Sequence, residues 1–229
     1  MKELDIKAAV LNELRGLGRL GKGSLIASEF VLGKSAVRAD FALWNSHFIG
    51  IEIKSERDTL RRLEGQTDAY FKYFDAVMLV AASKHMCNIP LNIARRVELW
   101  EFTTDGKIQI ISAGQGYSLP SADNALSLLT QEETERLIER SGKEPRMALA
   151  RAFEERFGRT SSEFWKNVGG RKILPEDVLT LSRSFQQRRL LAEWKERQAA
   201  YWREWTAVMA DAATSINDVD QSVQSSSVS

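Results

Sequence analysis

The chain has 229 residues, 43% of them apolar, which is enough to bury at least one sizeable core, and a prior of ~100–200 residues per domain allows one large domain or two small ones. Its 32 Lys and Arg nearly cancel 31 Asp and Glu, excluding a global electrostatic signature for a polyanion, so any nucleic-acid surface has to be local. The single cysteine, Cys87, excludes an intrachain disulfide and a Cys-rich zinc site, while the polar opening Met-Lys-Glu-Leu-Asp and the lack of any apolar run near the ~18 residues that span a bilayer point to a cytoplasmic protein without a membrane role.

In chain order, Ile6, Val10, Leu14 and Leu17 form the stripe of an amphipathic helix over 2–17, stopped by glycines at 16, 18, 21 and 23. Three β-like runs follow at 25–32, 37–44 and 48–54. They are separated by the turn-forming Gly33-Lys34-Ser35 and Asn45-Ser46-His47, which predicts an antiparallel meander. From 56 to 74 the period becomes helical, with Leu60, Leu63, Thr67, Tyr70, Phe71 and Phe74 on one face, and 76–82 is a continuous apolar strand of the kind buried on both sides. Strand, helix and apolar strand make a βαβ unit, so 48–54 runs parallel to 76–82, directly or with one strand between them. A later hairpin is expected at 99–103 and 107–112, across Thr104-Asp105-Gly106.

A first domain is therefore expected over 1–113, a Gly/Ser/Pro/Asn-rich linker over 114–128, an all-α module over 129–214 and a disordered polar tail over 215–229. Within the helical module, Thr130-x-x-Glu133 reads as a capping box and Gly142 as a C-cap. Further helices are expected at 145–157, around 161–168 and from Pro175 to about 213.

Chemistry concentrates on the 48–54 strand. Ile49, Ile51 and Ile53 share one face, and Gly50, Glu52 and Lys54 share the other. A carboxylate and an ammonium near the carboxyl end of a flanked strand cost several kcal/mol if desolvated unpaired, and ligand sites in such sheets tend to lie at strand carboxyl ends. Whether Asp40 joins them depends on the turn. A three-residue loop, Asn45-Ser46-His47, opposes Trp44 to Phe48 and Asp40 to Glu52, whereas a two-residue turn opposes Asp40 to Ile51 on the other face unless a bulge intervenes. Two carboxylates held together suit a hard, oxygen-preferring cation such as Mg²⁺, with Mn²⁺ a substitute. Lys54 would then neutralise charge growing on an attacked phosphate.

Asp40, the eleven-residue gap, Glu52-x-Lys54 and then Gln66-x-x-x-Tyr70 resemble the PD-(D/E)XK nuclease superfamily, including its RecB-like branch. The stretch from Arg38-Ala39-Asp40 through Glu52-Ile53-Lys54-Ser55-Glu56-Arg57-Asp58-Thr59-Leu60 to Phe74-Asp75 resembles more specifically a group of uncharacterised bacterial and phage proteins of that superfamily. The resemblance covers roughly 24–83. It implies an α/β, restriction-endonuclease-like mixed sheet flanked by helices, here followed by the all-α module, and a Mg²⁺-dependent deoxyribonuclease of DNA repair or of phage and mobile-element biology. By it, Asp40 and Glu52 are metal ligands, the Ile53 carbonyl a third, Lys54 the catalytic lysine and Gln66 an orienting residue. A further acidic ligand falls to Glu29, with Glu13 its rival. Ala39 departs from the superfamily's proline.

Blander readings stand beside these. Glu52 and Lys54 also fit an ordinary same-face surface ion pair, and Glu29 a solvent-facing edge carboxylate. Tyr70 alone reads as core. Arg57, Arg61 and Arg62 are placed to meet DNA phosphates, yet alternate with Glu56, Asp58 and Glu64 as a solvated face does. Trp194, Tyr201, Trp202, Trp205 and Met209 recur at helical spacing, which usually means core and otherwise a surface for DNA, a protein partner or a second copy. Two rival functions follow: a DNA-binding module of the same fold without turnover, and a helical adaptor.

Overall fold

The computed structural model describes residues 3–33, 37–182, 187, 190–207 and 209. Two compact units divide the chain, Met1–Arg183 and Ser184–Ser229. The first contains helix α1 (Glu3–Gly16), strands β1 (Leu25–Val31), β2 (Arg38–Trp44) and β3 (Phe48–Lys54), helix α2 (Leu63–Tyr73) and strand β4 (Ala76–Ala82). After these come helices α3 (Ser83–Met86) and α4 (Leu91–Arg96), strands β5 (Glu98–Phe102) and β6 (Ile108–Ser112), and helices α5 (Ala122–Ser127), α6 (Gln131–Arg140), α7 (Pro145–Val168) and α8 (Pro175–Leu179). The result is a mixed α/β fold: one six-stranded sheet in order β1-β2-β3-β4-β5-β6 with helices on both faces.

β1-β2-β3 is the expected antiparallel meander, and β3 pairs directly and in parallel with β4, as does β4 with β5, before β6 returns antiparallel. Every residue of β3 is buried, because it is flanked by strands on both edges and by helices on both faces. Gly50 is needed there: a Cβ would come within 2.3 Å of the Phe74 ring, which packs flat where β3 passes under the end of α2. One face of the sheet is covered by α1, the end of α7 and α8. The other is covered by α2, α4, α5 and the first half of α7.

α7 therefore wraps the β1 edge, contributing Phe153 and Phe157 to one core and Phe164, Trp165 and Val168 to the other. An open strand edge presents unpaired backbone groups, and α7 satisfies several of them. Ser161 Oγ accepts from the Ile26 N–H at 2.9 Å and the Trp165 indole donates to the Ser24 carbonyl at 3.1 Å, while the segment just after α8 adds the Leu181 carbonyl, which accepts from the Ser28 N–H at 3.4 Å.

Several expected boundaries move for identifiable reasons. The compact unit runs past the break expected over 114–128, because α7 closes the sheet edge; α5, capped by Ser121, lies within that segment. The helices expected at 145–157 and 161–168 are one helix, which carries Gly158 in its interior. α2 starts at Leu63, not 56, since the Ser55 N–H and hydroxyl both donate to Asp58 and hold 55–58 in a turn. The capping box Thr130–Glu133 forms as expected. The helix expected from Pro175 ends at Leu179. Lys34 and Ser35 of the first turn and the tail 215–229 lie outside the described residues.

In the second unit, residues 190–207 are helical. Its aromatic stripe is not core: Trp194, Tyr201, Trp202 and Trp205 are each 47–59% exposed. No described helix is long and apolar enough to cross a membrane.

Candidate functional site

The three-residue loop forms. The Asn45 carboxamide accepts from the His47 N–H at 2.9 Å, and the pairs Trp44↔Phe48, Leu43↔Ile49, Ala42↔Gly50 and Phe41↔Ile51 follow. Asp40 is the next residue out, where the ladder stops. There its side chain substitutes for the backbone pairing, Oδ2 accepting from the Ile53 N–H at 2.7 Å. The hairpin thus opens at the carboxyl end of β3 and admits a cleft of about 820 Å³, lined by Glu3, Arg38, Asp40, Glu52, Ile53, Lys54, Asp58, Arg61, Arg62 and Gln66 among others.

Glu52 and Lys54 are only 4% and 6% exposed, so their charges have to be met locally. Glu52 Oε1 accepts from Lys54 Nζ at 2.6 Å and from Gln66 Nε2 at 2.8 Å, while Gln66 Oε1 accepts from Lys54 Nζ at 2.8 Å, closing a three-membered ring of hydrogen bonds. Glu52 Oε2 accepts from the Tyr70 hydroxyl. Gln66 and Tyr70 stand one turn apart on α2, so the crossover helix presents an amide and a phenol to the two oxygens of one carboxylate. Burial and the neighbouring Glu52 charge push the Tyr70 phenol well up, so it remains a donor.

The other wall comes from α1. Lys7 lies on the buried stripe of that helix, 3% exposed, with Nζ 2.6 Å from Glu3 Oε1 and 3.7 Å from Asp40 Oδ1. Burial pulls its ammonium down, but Asp40, Glu3 and Glu29 outweigh that and leave it above its ordinary value. Asp40 moves the opposite way from a typical paired carboxylate. Burial, then repulsion from Glu52, push it up to about 7 against the pull of Lys7 and the Ile53 N–H.

A pH signature follows. In the unfolded chain Asp40 releases its proton near 3.8, whereas folded it holds the proton to about 7, so between these values the native state binds more protons and stability falls as pH rises. Above the folded value the loss is complete. Thermal unfolding in a chelator is expected to show the wild type losing ground to Asp40→Asn across this window. A difference between the two that stays flat with pH would contradict the placement of Asp40 against Glu52.

Asp40, Glu52, Lys54 and Gln66 therefore meet in one cleft, with Ile53 beside them. Arg61 and Arg62 are exposed at its mouth; Arg57 is exposed but does not line it. Glu29 does not line the cleft, although its charge reaches Lys7. Its φ of +58° is a conformation that costs a non-glycine residue ~1–3 kcal/mol, and its carboxylate faces Arg38 Nη1 at 3.8 Å. Glu13 does not line the cleft either, and the additional acidic wall residues are Glu3 and Asp58. Lys7, Glu3 and Arg38 were missed as site residues. Lys7 had a signal: with Leu11 and Leu14 it falls at i, i+4, i+7 on the apolar face, where an unpaired lysine is costly.

Among the described residues no three His, Cys, Asp or Glu side chains converge as a metal cluster. The donor set is instead two carboxylates that face one cleft from adjacent strands. It fits a hard dication of the Mg²⁺ type, which takes one or two carboxylates and completes its shell with water and substrate phosphate.

Fold and cleft together define an α/β protein whose central strand ends in a buried carboxylate–lysine centre braced by a crossover helix. The chain belongs to the Bacteriophage P4 protein cII family, matched over residues 1–182, nearly the whole first unit. It is 28% identical over 145 residues to Protein cII of Enterobacteria phage P4, covering 62% of this chain and 54% of that one, so it spans about half the length of the curated relative. A solved structure, the SPO1766 protein of unknown function from Silicibacter pomeroyi, aligns with a TM-score of 0.39 at 16% identity, over 67% of this chain and 90% of that one.

Proposed function

We propose that this protein is a metal-dependent nuclease of the PD-(D/E)XK type that hydrolyses phosphodiester bonds in DNA. The observation that carries this reading is the convergence of Asp40 and Glu52 beside Lys54 where the β2–β3 ladder opens. An ordinary ion pair explains Glu52 and Lys54 alone; beside them the half-buried Asp40 carboxylate holds its proton more tightly than usual even with Lys7 3.7 Å away, an electrostatic load that a bound dication would relieve.

Asp40 and Glu52 would hold Mg²⁺ or Mn²⁺, with the Ile53 carbonyl as the third ligand that the superfamily resemblance implies. Bound there, such an ion supplies Lewis-acid polarisation of the phosphate and a water acidic enough to ionise near neutral pH. Lys54 positions water and balances charge on the transition state. An ammonium has three protons, Glu52 and Gln66 engage two of them, and the third is left for a phosphate oxygen or the attacking water. Gln66 keeps Lys54 and Glu52 in register, and Tyr70 orients the far oxygen of Glu52. Arg38, Arg61 and Arg62 at the mouth supply the local positive surface that a neutral chain needs to meet a polyanion.

The test is digestion of linear, nicked, branched and single-stranded DNA with Mg²⁺ or Mn²⁺, together with calorimetric titration of Mn²⁺. The wild type is expected to cut at least one substrate, and Asp40→Ala is expected to lose both cutting and Mn²⁺ binding. Metal-independent DNA binding without cleavage would replace this reading with that of a binding module. Mn²⁺ uptake indifferent to Asp40 would remove the metal centre.

A further inference from the structure

The helix at 190–207 lies beyond the family match and carries side chains that belong against another surface. Leu191, Trp194, Gln198, Tyr201 and Trp205 recur at spacings of three, four, three and four, the seam of a two-helix coiled coil. All five lie on the exposed helix, and the rings of Tyr201, Trp202 and Trp205 stand 5.8–5.9 Å apart in succession along it. A contiguous apolar patch of this kind marks an interaction surface.

Charge selects the occupant. A helix that lies on anionic lipid or tracks a nucleic acid needs a basic polar face. Over 190–207 Glu193, Glu196 and Glu204 balance Lys195, Arg197 and Arg203, so this stretch has no basic face of its own, Arg188 and Arg189 lying just before it. What it complements is itself. Set antiparallel about a dyad between residues 199 and 200, each Trp194 faces the second copy's Trp205, and each Gln198 faces the second copy's Tyr201, amide to hydroxyl. The flanking Arg197 then meets the second copy's Glu204, and Lys195 meets the ring of its Trp202. A parallel pair would instead oppose Gln198 to Gln198 and leave Arg197 and Glu204 without opposite charges. We propose that this helix is a homodimerisation element, pairing antiparallel with the same helix of a second copy through the Trp194–Trp205 seam.

At ~1.5 Å per residue the seam from Leu191 to Trp205 is roughly 21 Å long, which together with its tryptophans suits a reversible dimer in the micromolar range. Sedimentation velocity of the full chain tests this, with vesicles containing phosphatidylserine and oligothymidylate as parallel arms. The expected result is a concentration-dependent species of twice the 25.9 kDa chain mass. Trp194→Glu is expected to weaken it at least ~100-fold. Arg197→Glu and Glu204→Arg should each weaken it ~5–10-fold, and the double exchange should restore it, because the swapped charges meet again only in the antiparallel arrangement. A chain that stays monomeric, a dimer indifferent to Trp194→Glu, or a double exchange as weak as the single ones would overturn the proposal. So would a monomer that sediments with vesicles or oligothymidylate through these aromatics. None of these readouts involves DNA cleavage, so the proposal stands or falls apart from the nuclease reading.

Discussion

Lys54→Met is expected to lower DNA cleavage by about 10²–10³-fold while Mn²⁺ affinity changes little, the magnitude seen when one donor to a developing oxyanion is removed from a preorganised site. Methionine keeps the length and apolar stem of lysine and removes only the ammonium. Glu52 keeps its donors from Gln66 and Tyr70, so the carboxylate remains oriented, but it loses the ammonium that balances its buried charge, and the metal-free variant is expected to be less stable than the wild type. The two measurements separate roles that a simple loss of activity would merge. Glu52 and Asp40 are assigned to the ion, and Lys54 to the charge that appears on the phosphate as it is attacked. Equal cleavage by wild type and Lys54→Met, with both folded by circular dichroism, would remove the lysine from the chemistry. A parallel collapse of Mn²⁺ binding would instead make Lys54 a scaffold for Glu52.

Much of this centre is legible in the sequence, and the reason is local. Strand alternation places Glu52 and Lys54 on one face from their spacing alone, and a helix places Gln66 and Tyr70 on one side for the same reason. Periodicity allows two turns and so two registers for Asp40 against Glu52, and the choice between them lies in the Asn45 side chain accepting from the His47 backbone, a contact of one residue's chemistry. Two things were illegible because they arise across long separations. Lys7 becomes a site residue only when α1 lies against Asp40, thirty-three positions later. The extent of the first unit depends on Ser161 finding the Ile26 backbone 135 residues upstream, which no window of composition reveals, and so α7 read as part of a separate module. The aromatic stripe of the last helix read as core because periodicity reports that a face is apolar, not whether anything covers it.

That α7 belongs to the sheet can be made quantitative through Arg146. The Asp75 side chain, just before β4, is fully buried; it accepts the Phe48 N–H at 2.7 Å and both terminal nitrogens of Arg146 from the first turn of α7. Arg146 also lies over the Trp44 ring, 5.3 Å from its centroid, so one guanidinium ties α7 to β2, β3 and β4 together. Arg146→Met strands the carboxylate with a single donor in a low-dielectric site. Breaking one side of a buried pair costs about 3–5 kcal/mol, a large share of the ~5–15 kcal/mol that holds a typical domain. Urea unfolding is therefore expected to shift by that amount in one cooperative transition shared by tryptophan fluorescence and far-UV dichroism. Asp75→Asn in the same chain should recover more than half of the loss, since an amide oxygen still accepts from Phe48 and no charge is left unpaired. If α7 were an independent module, Arg146→Met would leave the unfolding of the sheet where it was, or split the transition in two, and the β1 edge would have to be closed by something other than this helix.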